Sequence, residues 1–597
     1  MQKYSKIILF SLCLPSIRSA APQHQEPCAV LGDLTDKAAK VSQLSPKRPG
    51  DVAYNCLQSI PFESDPAFNI DIPQDPPPAY PVPGAVKNFY HSQFDFDSDI
   101  VQLILAARDE RLSVKMCTLK VIQFTNNYPL FPSQRTGLIF PRYTHNNSAE
   151  HVSLVMSIDG VNANEYLEKL SRVVNYNHYN AHDPDALYNI LFPSNAHTLG
   201  NRLWPGLART LKFKDSTKIT VETLAELLTP LTHFPWRDGP SLYDKLCVDS
   251  DKATEDFTRR PESVDLSEDM SLEGYPKPFS HAQGDQLTGY LPDHPALQNT
   301  AVLSVPSFIT ENKDSFARAA KNLINNATAQ VRRKMIIDIC SNGGGSGTAS
   351  LNLFKLVFPE KQIYTASRYR AHEDLNLLEK IHPKGDSITR GEWIYWAGVA
   401  VTPDMEHNVT FWEKLYGHDE TVGTKSSILT ACIDAKLQSQ EGKPVCGYGP
   451  VLLDLNAAAF KAEDILFIML EQNAKTIAFG GRPQKAKMQT ISAVRGGINA
   501  RIEKLSLLVT KGHEKADELQ AYDQTLPTLP ISKLGLASTG GFDVQSTFSL
   551  DDDQLPMQFT YEPAGCRRFY TVDNVLSQES VWADASKAVF ENEGCVQ

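Results

Sequence analysis

Apolar and polar positions change period sharply around residue 340. Met335 to Ile339 form a short apolar run interrupted by Asp338 and closed by Cys340 and a glycine cluster, which predicts a buried strand. Leu351, Phe354 and Phe358, with Leu353, Leu356 and Val357 beside them, recur every three to four residues and predict a helix. Between the two lie Gly343, Gly344, Gly345 and Gly347, which permit positive φ or close backbone approach. Strand, glycine turn and helix start together aim backbone N–H groups at an anion or oxyanion. A second pattern lies upstream. Val152, Leu154, Met156 and Ile158 alternate, Asp159-Gly160 supplies a turn, and Asn162 or Asn164 can cap a helix through Leu167 and Leu170. A Pro-rich stretch (73–85) precedes a helical pattern from Ile100 to Leu112, and 273–400 and 458–500 alternate strand and helix patterns as an α/β domain does.

The glycine turn is not a nucleotide loop. No lysine follows the glycines, which excludes a Walker A loop, and a dinucleotide fingerprint begun at Gly345 would place Ser350 where its third glycine belongs. The chain of 597 residues exceeds one core, so about two to four domains are expected. Lys3 and Lys6 precede an apolar Ile7–Leu14 stretch and a Ser19-Ala20-Ala21 tail, the pattern of a secretory leader over residues 1–21. No later run approaches the ~18 uninterrupted apolar residues of a membrane span. Net charge is −12, and loss of Lys3, Lys6 and Arg18 with the leader takes it to −15. An acidic chain without a basic run is a poor partner for nucleic acid.

Ten cysteines less Cys13 leave nine in the mature chain, widely spaced and with no C-x-x-C pair, which argues against a zinc or redox motif. An odd number leaves at least one thiol outside intrachain pairs, and spacing leaves the pairing open. Sequons at Asn146, Asn326 and Asn408 predict glycans in a secreted product. Nothing here fixes an oligomeric state.

Landmarks run in order along the chain: VAYNCLQSIPF (52–62), MSIDGVNANEYL (156–167), HDPDALYNILF (182–192), GYPKPF (274–279), TAVLSVPSF (300–308), MIIDICSNGGG (335–345), SRYRAH (367–372), TIAFGGRPQKAKMQ (476–489) and QFTYEPAGCRRFYT (558–571). Together they resemble the tail-specific (carboxy-terminal-processing) serine peptidases, secreted fungal-type branch, with a module similar to that of the chlamydial protease-like activity factor. The resemblance implies an α+β multidomain fold. Its parts would be a helical N-terminal region (28–140), a small PDZ-like β module (141–247), a linker (248–272) and a crotonase-like α/β peptidase domain (273–597). It also implies a serine nucleophile with a histidine base and a helper glutamate, and no cofactor or metal. Carried over by position, Gly343, Gly344 and Gly345 fall near the oxyanion site and Glu562 matches the helper carboxylate.

Two positions depart from the family pattern. Arg111 stands where the histidine belongs, and a guanidinium stays protonated and cannot act as a general base. The turn that carries the serine is missing between Ile465 and Leu466: FKAEDILFIMLEQNAKTIAFGGRP holds no Ser, Thr, Cys, Gly or Pro between Ala462 and Asn473. Without a hydroxyl or a turn residue no nucleophile elbow forms there. Ser346, Ser350, His91 and His372 are the conceivable replacements, each more ordinarily a cap or a hydrogen-bonded side chain, and Cys340 reads as buried or paired. The expected protein is a secreted, extracellular homologue of a peptidase that binds extended or unfolded polypeptide, with no nucleic-acid or membrane partner. The alternatives are an active serine peptidase whose gene model is incomplete around Ile465-Leu466, and a structural secreted glycoprotein.

Overall fold

The computed structural model describes residues 26–39, 47–62, 90–106, 112–125, 130–132, 139–141, 154–171, 185, 188, 203–227, 234–248, 274–358, 366–369, 376, 419–421, 424–426, 459–460, 474–489, 499–501, 505, 507–510, 540–548, 554–557, 560–561, 563–571, 573–574, 577–591 and 593–596, without positions 115, 285, 311, 341, 343, 344 and 544. The leader, most of the linker, Arg111, Gly343, Gly344, Ile465, Leu466, Glu562, His372, Asn146 and Asn408 lie outside them.

The N-terminal core is built from helices Pro27–Ala39, Gly50–Gln58 and Gln93–Ala106 and the 3-10 turn Cys117–Lys120. Pro27 occupies a first helical position, where its missing N–H costs nothing. The Ser92 hydroxyl accepts from the Asp95 N–H at the start of the third helix. Leu31, Leu57, Phe94, Leu119 and Phe124 fill the interior, and Cys28–Cys56 links the first two helices. Later chain completes this core: Leu224–Leu227 pairs antiparallel with Ile122–Thr125 on one side and Arg48–Pro49 on the other. Trp204 stacks on Tyr54 with ring centres 4.5 Å apart, and Phe234, Leu242 and Leu246 join the same cluster. Cys117–Cys247 closes this return across 130 residues. Residues 224–227 and 234–248 thus pack with the N-terminal helices, and the chain leaves that core for the small β module and returns to it.

The module is an antiparallel sheet in the order Leu130–Pro132, Ile139–Pro141, Val155–Ile158, Ala208–Phe213, Lys218–Glu222. Asp159 (φ 51°) and Gly160 (φ 83°) turn the chain onto Val161–Asn162, which pairs back with Ser157 and Ile158. The Asn162 carboxamide then caps helix Ala163–Ser171 by accepting from the N–H groups of Asn164 and Glu165. Of the two asparagines expected as caps, Asn162 takes the position.

In the third region, strands Ser280–His281, Thr288–Tyr290, Thr300–Ser304 and Lys334–Asp338 form one sheet in that order. The last two are parallel, Thr300 opposite Lys334 and Ser304 opposite Asp338, joined through helix Lys313–Ala329. Alternate side chains separate the layers. Ala301 and Leu303 meet Phe316, Leu323 and Phe354 on one face, while Val302 and Tyr290 meet Trp582 of helix Gln578–Phe590 on the other. Strand Ile477–Phe479 pairs in parallel with Cys566–Arg568, and Cys566–Cys595 pins the chain end to it. The strand Lys334–Asp338 is less enclosed than its sequence predicts. Met335, Ile336 and Ile337 are half-buried, because this strand is the last of its sheet among the described residues.

Asp97 is fully enclosed in the N-terminal core and accepts from the Thr118 N–H at 2.9 Å, the Thr118 hydroxyl at 2.6 Å and the Gln93 carboxamide at 2.7 Å. Burial pushes its carboxyl up to about 6, against the opposing pull of those donors and of Lys120. A folded-state value above the unfolded one means that the native state holds the proton more tightly. The stabilisation from Asp97 is therefore complete below the unfolded carboxylate value and is lost as pH rises through about 6. Asp97→Asn, which cannot ionise, is expected to gain stability relative to the parent by ~2 kcal/mol between pH 4 and pH 7. Urea unfolding of both proteins at a series of pH values across that range measures this, and a constant difference throughout would refute it.

Candidate functional site

The strand Lys334–Asp338 delivers Asp338 to the sheet edge beside the glycine turn. Its carboxylate is 8% exposed and is met from three sides. One oxygen accepts from the Cys340 N–H at 3.0 Å; the other accepts from the Gln578 carboxamide at 2.9 Å and the Trp582 indole N–H at 2.8 Å. These donors come from the turn itself and from the C-terminal helix, so the strand end is tied to an element more than two hundred residues away. The Asn342 carboxamide donates to the Val305 carbonyl at 2.7 Å, and the Val305 N–H donates to the Asp338 carbonyl at 2.8 Å. Past the turn, Gly345–Ser346 pairs antiparallel with Ala459–Phe460, and helix Gly347–Val357 begins as the periodicity predicts.

Cys340 differs from its expectation: it is an exposed residue outside any disulfide, although its thiol is turned into the surrounding packing. It escapes burial because it sits past the strand end, where the chain bends toward the glycines. Packing around it still desolvates the thiolate, and the Asp338 charge and hydrogen bond add to this, so the thiol lies well above its ordinary value. Burial likewise raises the neighbouring Tyr570 hydroxyl, followed by the charges of Cys340 and Asp338. A nucleophilic cysteine needs a depressed value and a cationic or basic neighbour. Here the nearby charge is a carboxylate that already serves as an acceptor. The arrangement anchors a backbone turn.

The other proposed groups are placed as follows. Ser350 is fully buried within helix Gly347–Val357, shut off from any substrate. Ser346 belongs to the short strand beside Ala459. His91 is exposed next to the third N-terminal helix. His294, which sequence reasoning did not single out, uses its Nδ1 to accept from the Ala296 N–H and caps a 3-10 turn. Of the oxyanion glycines only Gly345 is among the described residues. Of the sequons, Asn326 is exposed near the end of helix Lys313–Ala329. Among the described residues no helix is long and apolar enough to cross a membrane, and no cluster of His, Cys, Asp and Glu could hold a metal ion. The Asp338 anchor to Gln578 and Trp582 was missed. Its one signal in the sequence is an acid inside an otherwise apolar strand, which has to find donors when buried.

The folded regions coincide with known families. The CPAF-like PDZ domain model matches residues 134–232, which hold the antiparallel module except its first strand Leu130–Pro132, and the peptidase family S41 model matches 299–483, which hold the parallel pair Thr300–Ser304 and Lys334–Asp338 and the glycine cluster. Peptidase S41 family protein ustP of Aspergillus flavus is 30% identical over 470 residues, covering 69% of this chain and 97% of that protein. Peptidase S41 family protein phomP1′ of Diaporthe leptostromiformis is 27% identical over 590 residues, covering 84% of this chain and 86% of that protein. The chain belongs to peptidase family S41, as its resemblance to the tail-specific peptidases implied, and pairs a PDZ-like domain with the S41 domain. Both domain types indicate a peptide or polypeptide as partner.

Because its thiol is held protonated, Cys340 carries little thiolate at neutral pH and is expected to alkylate about tenfold or more slowly than an ordinary exposed cysteine. Asp338→Asn removes the charge contribution and is expected to speed the reaction. Iodoacetamide labelling read at Cys340 by peptide mass spectrometry tests this. Fast labelling of the parent at pH 7 would contradict the assignment.

Proposed function

We propose that this chain is a secreted S41 homologue that binds extended or unfolded polypeptide and does not cleave it. The observation that carries the reading is the segment between Ala462 and Asn473, which holds no Ser, Thr, Cys, Gly or Pro to build a serine-type nucleophile elbow. Arg111 at the histidine position removes the general base as well. A buried Ser350 and a Cys340 thiol held in its protonated form support the same conclusion, since neither replaces the missing oxygen. On this reading the peptidase domain is crotonase-like, the retained glycines 343–345 mark a disused oxyanion site, and Glu562 has no histidine to assist. A PDZ-like sheet offers the means of binding, since an extended peptide can add as a strand to an open edge.

The competing reading, an active peptidase, draws on the join of Ile465 to Leu466, where the resemblance to the family implies a serine turn. A fluorophosphonate probe and a denatured, labelled protein separate the two. The expected result is saturable binding, no covalent adduct and no fragments. An adduct accompanied by turnover would overturn the binding-only assignment, and failure to bind any unfolded chain would favour a structural glycoprotein.

Secretion follows from the leader pattern over residues 1–21, and it makes Asn326 a glycan acceptor. Its sequon partner Thr328 is exposed beside it. Product secreted from a fungal host is expected to lose mass on enzymatic removal of N-linked glycans. Asn326→Gln should abolish the part of that mass change that maps to its peptide.

A further inference from the structure

Two motifs singled out in the sequence, HDPDALYNILF and TIAFGGRPQKAKMQ, meet in space although they belong to different domains. Asp185, from the first, is 2% exposed. Its carboxylate accepts from the Arg482 backbone N–H at 2.6 Å, from Arg482 Nε at 3.2 Å and Nη2 at 3.4 Å, from Gln484 at 3.3 Å and from Arg567 Nη2 at 3.3 Å. Arg482 Nη1 reaches further to Glu168 on the helix Ala163–Ser171 of the PDZ-like domain, at 3.1 Å. Asp185 belongs to that domain: Tyr188, one helical turn on, is buried against Val155 and Leu167, and its hydroxyl donates to Asn164.

The other side belongs to the S41 region. Arg567, 1% exposed in its side chain, fixes the arginine-bearing turn through the carbonyls of Gly480, Arg482 and Ala486. Gly480 and Gly481 have φ of 88° and 80°, which only glycine adopts cheaply. A Cβ on Gly481 would lie 3.0 Å from the Asp185 Cβ and collide with the Arg567 guanidinium. The Gly-Gly-Arg sequence is thus shaped to let one domain's backbone touch a carboxylate of the other. Two acids face two arginines, so the charges balance, with Asp185 and Arg567 buried, Arg482 mostly so and Glu168 at the solvent-exposed rim. Bonds to Asp185 and Glu168 outweigh the burial that would otherwise lower the Arg482 guanidinium, and hold it above its ordinary value.

We infer that Asp185, Arg482 and Arg567 form an electrostatic clasp that registers the PDZ-like domain on the S41 domain, and that opening it frees the PDZ-like domain as a folded body. A buried ionic cluster suits this role. Apolar contacts tolerate sliding, whereas a carboxylate that loses its donors in a dry site does not. The device is one of relative position: it sets where a polypeptide held on the PDZ-like sheet lies with respect to the glycine turn.

The test is hydrogen exchange on the full, disulfide-intact chain, comparing Asp185→Asn and Arg482→Gln with the parent. Exchange over 480–489 and 566–568 is expected to rise about tenfold or more. Strands Val155–Ile158 and Ala208–Phe213 should keep their protection, and the radius of gyration should increase. Arg482→Gln leaves Asp185 with Arg567 and serves where Asp185→Asn fails to fold. Unchanged exchange at 480–489 in the folded variants would overturn the clasp. So would loss of protection in the PDZ-like strands together with it, because the cluster would then be ordinary packing within one cooperative unit.

Discussion

A carboxylate withdrawn from water needs hydrogen-bond donors wherever they can be found, and a missing one costs about 1–3 kcal/mol or more. In this chain Asp97, Asp185 and Asp338 are all withdrawn in this way, and each takes at least one donor from another element. Asp97 draws the 3-10 turn at Thr118 onto the third N-terminal helix. Asp338 draws the C-terminal helix onto the strand end through Gln578 and Trp582. Asp185 draws two arginines of the S41 region onto the PDZ-like domain. Hydrophobic burial supplies most of the driving force in each region, but it is non-directional. The carboxylates choose which surfaces meet and in what register.

What could be read from sequence was local. The Met335–Phe358 pattern gave strand, turn and helix in the right order because the period changes within a few residues and the glycines mark the change. Asp159-Gly160 was legible because a turn's geometry depends on its own residues. The return of Leu224–Leu227 to Ile122–Thr125 was not, since strand pairing leaves no mark on either strand that names its partner. The three disulfides among the described residues were open for the same reason. Asp185 lies 297 residues from Arg482 and 382 from Arg567, so neither motif reveals the other. Cys340 misled because position within an apolar stretch predicts burial, whereas its exposure depends on where the chain leaves the sheet.

The residues that hold the glycine turn in place are separate from those that would perform acyl transfer. Asp338, Asn342, Gln578 and Trp582 satisfy one another and the Val305 backbone through hydrogen bonds that need neither a serine nor a histidine. Loss of a nucleophile, on the proposed reading, would leave this set unchanged. The turn could keep its shape while the chemistry disappears. The same separation makes family membership and activity different questions for this chain.

The scaffold's economy also constrains what replacement chemistry could arise. Any new acidic group beside the turn would meet the same conditions as Cys340 and Tyr570, raised first by burial and then, in part, by the Asp338 charge. A thiol there would gain nucleophilicity only if Asp338 were neutralised or a cation were brought in, and either change would remove or divert the acceptor that anchors Trp582. Asp338 secures the turn by a negative charge that adds to burial in keeping the adjacent thiol protonated. Stability at this strand end and reactivity at Cys340 are therefore opposed.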